Sequence, residues 1–211
     1  MTARTLVVVS AGLSRPSSSR LLADRLADAT VTALRQRTGA DVEVATVEVR
    51  DIAHELTDNL LTGFPPEALR EAVAQVRSAD GLIAVTPIFN GSYSGLFKTF
   101  FDVLEEGSLE GTPVLVGATG GTARHSLALD FAVRPMFAYL RSQVVPTAVF
   151  AAAEDWGGAG DHASLGRRVT RAGDELAAAI AATDAGSSAR HSVVDDGFDD
   201  PVPFEQLLGR H

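Results

Sequence analysis

The amino-acid sequence predicts an α/β fold, in which a parallel sheet lies between two layers of helices. Short apolar runs alternate with segments of helical periodicity along most of the 211-residue chain. The first run, residues 5–10, is continuous and rich in valine, a pattern typical of strands buried on both faces of a parallel sheet. Parallel strands need crossover connections, and these connections place helices on both faces of the sheet.

Five apolar runs have the length and composition of strands. The second run alternates apolar and polar residues, which predicts one partly polar face and a position near the sheet edge. The predicted strands are residues 5–10, 42–49, 81–86, 113–119 and 144–151. A parallel five-stranded sheet in one three-layer sandwich fits the flavodoxin-like strand order 2-1-3-4-5, with the Rossmann dinucleotide order as the main alternative.

Helices are predicted between these strands. Ser17, Ser18 or Ser19 can cap the first helix, and Gly39 ends it. Pro135 should kink the helix after the fourth strand, because proline lacks the N–H that a helix interior needs. Residues 51–63 are ambiguous between a short helix and a loop. The predicted helices are residues 17–37, 65–78, 93–105, 125–142 and 164–183.

The chain is expected to hold one domain, residues 1–183, and a C-terminal tail, residues 184–211. The tail is acidic and rich in Ser, Gly and Asp, with prolines at 201 and 203. Such a segment is expected either to be poorly ordered or to dock on a neighbouring subunit.

Composition excludes several classes of function. The chain has a formal net charge of −9 and no cluster of Lys and Arg, so we expect no nucleic-acid partner. It contains no cysteine, which rules out disulfides, thiolate metal sites and cysteine nucleophiles. No apolar stretch approaches the roughly 18 residues that span a membrane, and the N-terminal run is too short for a signal peptide. We therefore expect a cytoplasmic protein without a membrane partner.

The loop after the first strand predicts a phosphate site. In open parallel sheets, ligands bind beyond the carboxyl ends of the strands where the strand order reverses, here between the first and third strands. Residues 10–20, SAGLSRPSSSR, offer hydroxyls, free amides and a helix N-terminus at that point. The loop lacks a Walker lysine and a G-x-G-x-x-G fingerprint, so a terminal monophosphate fits better than a pyrophosphate. The alternative is that the serines are only a helix cap.

The loop after the third strand predicts a site for a flat ring. Residues 86–95 read TPIFNGSYSG. Pro87 bends the chain, Ile88 and Phe89 can shield a ring, and the Asn90-Gly91 turn points amides inward. The alternative is an ordinary connection whose aromatic side chains lie in the core.

The loop after the fourth strand contains Gly120 and Gly121, which permit close backbone approach to a ligand. The alternative is a flexible turn at a strand end. A phosphate site, a site for a flat ring and two adjacent glycines that admit a ligand together fit flavin mononucleotide, FMN.

These motifs, together with ATGGTARHSLALDFAVRPMF after the fourth strand, resemble the NADPH-dependent FMN reductase family of flavodoxin-like flavoproteins over roughly residues 4–180. The resemblance is to the branch that supplies reduced flavin to two-component monooxygenases. It implies NADPH or NADH as electron donor, a flavin-dependent monooxygenase as partner, and a homodimer or homotetramer packed through residues 93–105. The predicted cofactor-binding residues are Ser10, Leu13, Arg15, Ser17, Ser18, Ser19, Pro87, Ile88, Phe89, Asn90, Gly91, Ser92, Tyr93, Thr119, Gly120 and Gly121.

The resemblance implies an enzyme that passes a hydride from NAD(P)H to the flavin. The flavin carries this chemistry, so no acid or base residue is assigned. Arg15 is a candidate for binding a phosphate of the nicotinamide nucleotide, against the alternative of a solvated loop arginine. Other hypotheses remain open: a quinone or azo-dye reductase that uses bound FMN, a non-enzymatic electron carrier, and an α/β domain that binds no flavin.

Overall fold

The structure, a computed structural model, describes residues 3–157 and 159–183, with residues 159–162 described by their backbone only. The predicted tail, residues 184–211, lies outside this part of the chain. None of the helices within the described residues combines the length and the hydropathy that a membrane span requires.

Within the described residues, seven strands form the sheet, which confirms the predicted α/β fold and corrects the predicted number of strands. Their order is β2-β1-β3-β5-β6, with β4 paired to β3 and β7 paired to β5. The long parallel strands therefore follow the predicted flavodoxin-like order. The strands are β1 Arg4–Ser10, β2 Val42–Glu48, β3 Gly81–Phe89, β4 Ser92–Tyr93, β5 Pro113–Gly120, β6 Gln143–Val144 and β7 Val149–Ala152.

The two additional strands have local causes. Strand β3 runs beyond its predicted end and turns back through a two-residue loop, so that β4 pairs with it in an antiparallel hairpin. The predicted fifth strand is divided into β6 and β7, both parallel to β5. Pro146 lies in the gap between them, and proline cannot donate a backbone hydrogen bond to continue the ladder.

The helices alternate with the strands as predicted, and their ends carry the expected caps. Ser17 accepts a hydrogen bond from the backbone N–H of Arg20, and Gly39 ends α1 with a positive φ of 65°. The ambiguous segment forms a 3₁₀ turn, Val49–Ile52, followed by α2. The helices are α1 Ser18–Thr38, α2 Ala53–Thr62, α3 Glu67–Arg77, α4 Gly95–Asp102, α5 Arg134–Tyr139 and α6 Ala159–Thr183.

Three predicted helices are wrong in extent. The helix predicted over residues 164–183 is α6, which begins earlier, at Ala159. The helix predicted over residues 93–105 is α4, which starts later because Tyr93 belongs to β4 and Ser94 caps the helix. The helix predicted over residues 125–142 is divided into a 3₁₀ turn, a π-helix over Leu129–Val133 and α5. Pro135 interrupts the helix because it has no N–H for an α-helical bond. The N–H of the preceding Arg134 donates to the carbonyl oxygen of Leu129, five residues back, which is the bond of a π-helix.

Both faces of the sheet are buried, as the valine-rich first strand predicts. In β1, Val7 and Val9 join the apolar cluster on one face, while Leu6 and Val8 join the cluster on the other face. The first cluster includes residues of α2, α3, α4 and α5, and the second includes residues of α1 and α6. Each fully buried aliphatic side chain contributes roughly 1.5–3 kcal/mol to folding, so these clusters fix the positions of the strand ends.

Glu175 on α6 holds the segment between β6 and β7. Its carboxylate accepts hydrogen bonds from the Thr147 backbone N at 2.6 Å, from Thr147 Oγ1 at 2.8 Å and from Arg171 Nε at 3.1 Å. Burial raises the pKa of Glu175, but the bonds from Thr147 and Arg171 outweigh burial, and the pKa lies below its ordinary value. The stabilisation is therefore present above the ordinary pKa and is lost as the pH falls through the lowered one.

We predict that Glu175→Gln lowers the free energy of unfolding by about 1–2 kcal/mol at neutral pH, because hydrogen bonds to a charged group become bonds to a neutral one. The difference from wild type should shrink as the pH falls through the pKa of Glu175, since the wild-type side chain then becomes neutral as well. Urea unfolding at neutral and acidic pH measures both values. Glu71→Gln, at an exposed position on α3, is the control. A difference that does not change with pH would contradict this role.

Candidate functional site

Three loops meet at the edge of the sheet where the strand order reverses. Ser10, at the end of β1, lies opposite Val85 of β3, and Pro87 of β3 lies opposite Thr119 of β5. The backbone N of Ala11 donates a hydrogen bond to the Val85 carbonyl oxygen at 3.0 Å. The strand register therefore brings together the loops that the sequence predicts to bind one ligand.

The first loop packs closely against the start of α1. Ser17 has an extended backbone and caps the helix by accepting a hydrogen bond from the Arg20 N–H at 3.2 Å. A Cβ at Gly12 would lie 1.9 Å from Ser17 Oγ, so the loop can pass this close only because residue 12 is glycine. Glycine at this position therefore keeps the cap and the helix N-terminus in place.

Two buried serines of the first loop differ in their hydrogen bonding. Ser10 is fully buried, and its Oγ has no hydrogen-bond partner among the described residues. Ser19 is 2% exposed, and its Oγ lies 2.8 Å from Thr119 Oγ1. An unpaired buried hydroxyl costs about 1–3 kcal/mol, so Ser10 is a group that a bound ligand would satisfy. The Ser19 hydroxyl instead joins the first loop to the third.

The remaining predicted residues of the first loop are exposed. Leu13 is 53% exposed, and Ser18 faces solvent at the start of α1. Arg15 donates a hydrogen bond to Asp51 at 2.8 Å, which directs its guanidinium to the β2 side of the loop. Arg50, which is not among the predicted site residues, donates to the Ser14 carbonyl oxygen at 2.6 Å. No sequence signal identifies this contact, because it joins positions 36 residues apart.

The second loop is a tight hairpin that extends beyond the sheet. Asn90 and Gly91 form its turn with φ of 49° and 85°, values that glycine and asparagine adopt most readily. Ile88 and Tyr93 face each other across the hairpin and pack against the core cluster. Phe89 is 46% exposed beside the turn. The hairpin thus presents an apolar side chain and turn amides at the same edge.

Thr86 and Ser94 close the base of this hairpin, a role for Thr86 that is not among the sequence predictions. Thr86 is fully buried, accepts a hydrogen bond from the Ser94 backbone N at 3.0 Å and donates to the Pro87 carbonyl oxygen at 2.9 Å. The signal was present in the sequence, because a threonine at the end of an apolar strand commonly bonds to the following turn.

The third loop combines a tightly packed residue and an open one. A Cβ at Gly120 would lie 2.9 Å from the Phe150 ring, whereas a Cβ at Gly121 would meet no atom within 4 Å. Thr119 is buried beside them and pairs with Ser19. Of the two glycines, Gly121 is therefore the one whose backbone a ligand can approach.

The geometry suits a flat ligand with a phosphate at one end. A helix N-terminus, flanking hydroxyls and the unpaired Ser10 hydroxyl lie at one side, and the hairpin turn and Gly121 lie at the other. These donors and this shape fit FMN. Within residues 3–157 and 163–183, whose side chains the structure describes, no group of His, Asp and Glu side chains is arranged to hold a metal ion.

Comparison with known proteins identifies a family for this chain. Residues 4–157 match the profile of the NADPH-dependent FMN reductase family. An FMN reductase (NADPH) of Pseudomonas aeruginosa is 37% identical over 151 residues, which cover 72% of this chain and 78% of that protein. The NADH-dependent FMN reductase SfnE of Pseudomonas putida is 38% identical over 146 residues, which cover 69% of this chain and 75% of that protein.

Solved structures support the same fold. An oxidoreductase from Corynebacterium diphtheriae is 44% identical, with a TM-score of 0.82 over 85% of this chain and 98% of that chain. The apo form of the NADH:FMN oxidoreductase EMOB is 28% identical, with a TM-score of 0.64 over 81% of this chain and 88% of that chain.

The Ser19–Thr119 contact predicts a coupling between the first and third loops. Ser19→Ala and Thr119→Val should each lower the free energy of unfolding by about 1–2 kcal/mol, because each removes one partner of a buried hydrogen bond. The double variant should cost less than the sum of the two, since the second substitution removes a hydroxyl that is already unpaired. Urea unfolding of the four proteins measures the coupling, with Ser18→Ala at the exposed neighbouring position as control. Strict additivity would show that the two hydroxyls do not interact.

Proposed function

This chain belongs to the family of NADPH-dependent FMN reductases, and we propose that it transfers a hydride from NADPH or NADH to FMN. The proposal rests above all on the meeting of three loops at the point where the strand order reverses. The family match spans residues 4–157 and so includes all three loops. Relatives are named for NADPH and for NADH, so the family name does not decide the donor.

We place the FMN phosphate at the N-terminus of α1. The first amides of a helix have no partner within the helix and carry partial positive charge, which favours a phosphate. Ser17 and Ser18 flank this end, and Ser10 supplies a buried hydroxyl without a partner among the described residues. Ser19 has a positioning role in this proposal, because its hydroxyl is paired with Thr119.

The flavin ring then lies between the hairpin and the third loop. The turn at Asn90 and Gly91 supplies backbone amides for the polar edge of the ring, and Phe89 covers apolar atoms. Pro87 and Ser92 belong to the same hairpin: Pro87 lies opposite Thr119 of β5, and Ser92 pairs with Phe89 beside the turn. Leu13, exposed on the first loop, contributes apolar surface near the ribityl chain.

Bound FMN supplies the ring atom that accepts the hydride, so this step needs no acid or base from the protein. The residues of the chain bind and orient the reactants. Gly121 leaves one side of the site open, because a side chain there would point into free space. This opening gives the nicotinamide access to the ring and lets reduced flavin leave.

We further propose that a flavin-dependent monooxygenase receives the reduced FMN, as the sequence resemblance implies.

We also propose that the protein is a homodimer or homotetramer, which the same resemblance implies. The apolar residues of α4 are not by themselves support for an interface, because Phe97, Phe100 and Phe101 are buried in the core of the same chain. Exposed apolar side chains next to this core, Phe131 at 78% and Tyr139 at 87%, are better candidates for a subunit contact. Sedimentation of the purified protein measures the oligomeric state.

We predict that the purified protein oxidises NADPH or NADH in air, and that the rate rises with added FMN. The absorbance of the nicotinamide measures this rate. A reaction that needs a quinone or azo dye would indicate the alternative reductase, and bound flavin without oxidation would indicate an electron carrier. Absence of flavin binding would contradict the proposed function.

We predict that Ser17→Ala together with Ser18→Ala weakens FMN binding about 10- to 100-fold, because a hydrogen bond to a charged phosphate contributes about 1.5–3 kcal/mol. Quenching of flavin fluorescence measures the dissociation constant. Ser78→Ala, at an exposed position after α3, is the control. Thermal unfolding shows whether the lost cap, worth about 1 kcal/mol, affects the fold. Unchanged affinity would place the phosphate elsewhere.

A further inference from the structure

The hairpin turn contains an asparagine followed by a glycine, the pair of residues at which a protein chain loses side-chain ammonia most readily. Asn90 and Gly91 are the two turn residues between β3 and β4, and both are exposed. Deamidation requires the backbone nitrogen of the next residue to reach the asparagine side chain. Glycine permits this approach best, because it has no Cβ beside its own nitrogen. The turn therefore has the chemistry of a modification site.

The structure leaves the reacting nitrogen accessible. The hairpin ladder ends at the pair of Phe89 and Ser92, so the two turn residues lie beyond it. No hydrogen bond between described residues uses the backbone N–H of Gly91. A Cβ at Gly91 would meet no atom within 4 Å, so nothing packs against this side of the turn. The turn can therefore change its backbone angles without disturbing packed side chains.

An aspartate-glycine pair at the other end of β3 has similar chemistry but is held firmly. The carboxylate of Asp80 accepts hydrogen bonds from Arg4 Nη1 and from the Thr5 backbone N, each at 2.9 Å. The following residue, Gly81, belongs to the sheet, and a Cβ there would lie 2.4 Å from Ile180 Cδ1. Neither the carboxylate nor the nitrogen can turn toward the other. The comparison shows that the packing around the turn, and not the residue pair alone, distinguishes Asn90.

Asn59, the other asparagine of the sequence, provides an internal comparison. It lies in α2 and is followed by Leu60, whose backbone N–H takes part in the helix. The Asn59 carbonyl oxygen accepts a hydrogen bond from the Gly63 N–H at 2.8 Å, which ends the helix. Because the helix holds the nitrogen of Leu60, Asn59 is expected to keep its amide.

We propose that Asn90 deamidates spontaneously in the protein without flavin, and that this modification ends flavin binding. The inference rests on the proposed function, because it takes the turn amides as partners of the flavin ring. Bound FMN engages these amides and holds the turn, so the reaction is slow while the site is occupied. The modification therefore inactivates those molecules that remain without flavin.

The reaction uses only the chain and water. The backbone nitrogen of Gly91 loses its proton and attacks the side-chain carbonyl carbon of Asn90. A new C–N bond closes a succinimide ring, and the side-chain nitrogen takes up a proton and leaves as ammonia. Water then opens the ring at either carbonyl carbon, which gives aspartate or isoaspartate. Nothing is oxidised or reduced, so no further reactant is required.

Both products change the turn where the polar edge of the flavin ring is proposed to bind. Each replaces a neutral amide by a carboxylate, which repels the carbonyl oxygens that the flavin presents at this edge. In isoaspartate the main chain also passes through the former side chain and is longer, so the turn no longer has the geometry of a two-residue hairpin loop. The loss of affinity therefore has an electrostatic cause in both products and an additional geometric cause in one.

The first experiment follows the wild-type protein during incubation at neutral pH, with and without FMN, by mass spectrometry of its peptides. We expect the peptide with Asn90 to gain the mass difference between an amide and a carboxylate, while the peptide with Asn59 does not change. FMN at about ten times its dissociation constant should slow the conversion about tenfold, because only the unbound fraction reacts. Conversion of Asn90 no faster than that of Asn59, or at the same rate with FMN, would overturn the proposal.

The second experiment measures FMN binding by flavin fluorescence. Incubated wild-type protein should lose binding in proportion to the converted fraction, and Asn90→Asp should bind FMN about tenfold more weakly than fresh wild type. Asn59→Asp, which adds the same charge on α2, is the control. Asn90→Gly keeps a sequence that favours the turn but has no amide to lose, so its own affinity should stay constant during incubation. Equal affinity of Asn90→Asp and wild type would overturn the proposal.

The two experiments separate this inference from the proposed function. A stable Asn90 in a protein that binds FMN would reject the modification site and leave the reductase intact. Absence of FMN binding by fresh protein would reject the proposed function and with it the effect on flavin, whereas faster conversion of Asn90 than of Asn59 would still establish the modification site.

Discussion

The parallel alignment of β1, β3 and β5 is the constraint on which the site depends. The register runs from Leu6 opposite Gly81 to Ser10 opposite Val85, and continues to Pro87 opposite Thr119. Both faces of these strands are buried, so a slip of one residue would move the whole set of core side chains to the opposite face. The same packing energy that holds the strands therefore fixes where their loops begin.

Hydrogen bonds then hold the loops in position at the ends of these strands. The Ala11 N–H joins the first loop to β3, the paired hydroxyls of Ser19 and Thr119 join it to the third loop, and Thr86 closes the base of the hairpin. Binding groups that are fixed in this way lose little conformational entropy when a ligand arrives. The pair of Arg15 and Asp51 lies at the outer side of the first loop and is more exposed than these contacts.

The sequence predicted those features of the fold that depend on residues close together in the chain. The valine-rich first strand, the cap at Ser17 and the left-handed Gly39 follow from neighbouring residues, and the position of β2 at the sheet edge follows from its alternating pattern. The hairpin strand was predictable as well, because Asn-Gly between apolar pairs is a strong hairpin signal, but it was interpreted as a turn before a helix. Contacts between distant positions, such as Arg50 with Ser14, have no local signal and required the structure.

A crystal structure of the protein grown with FMN tests the central claim most directly. The account predicts phosphate oxygens about 2.7–3.2 Å from Ser10 Oγ and from the first amides of α1, with the flavin ring between residues 87–93 and 119–121. A flavin phosphate bound away from the N-terminus of α1, or a flavin bound away from the β1–β3 edge, would contradict it.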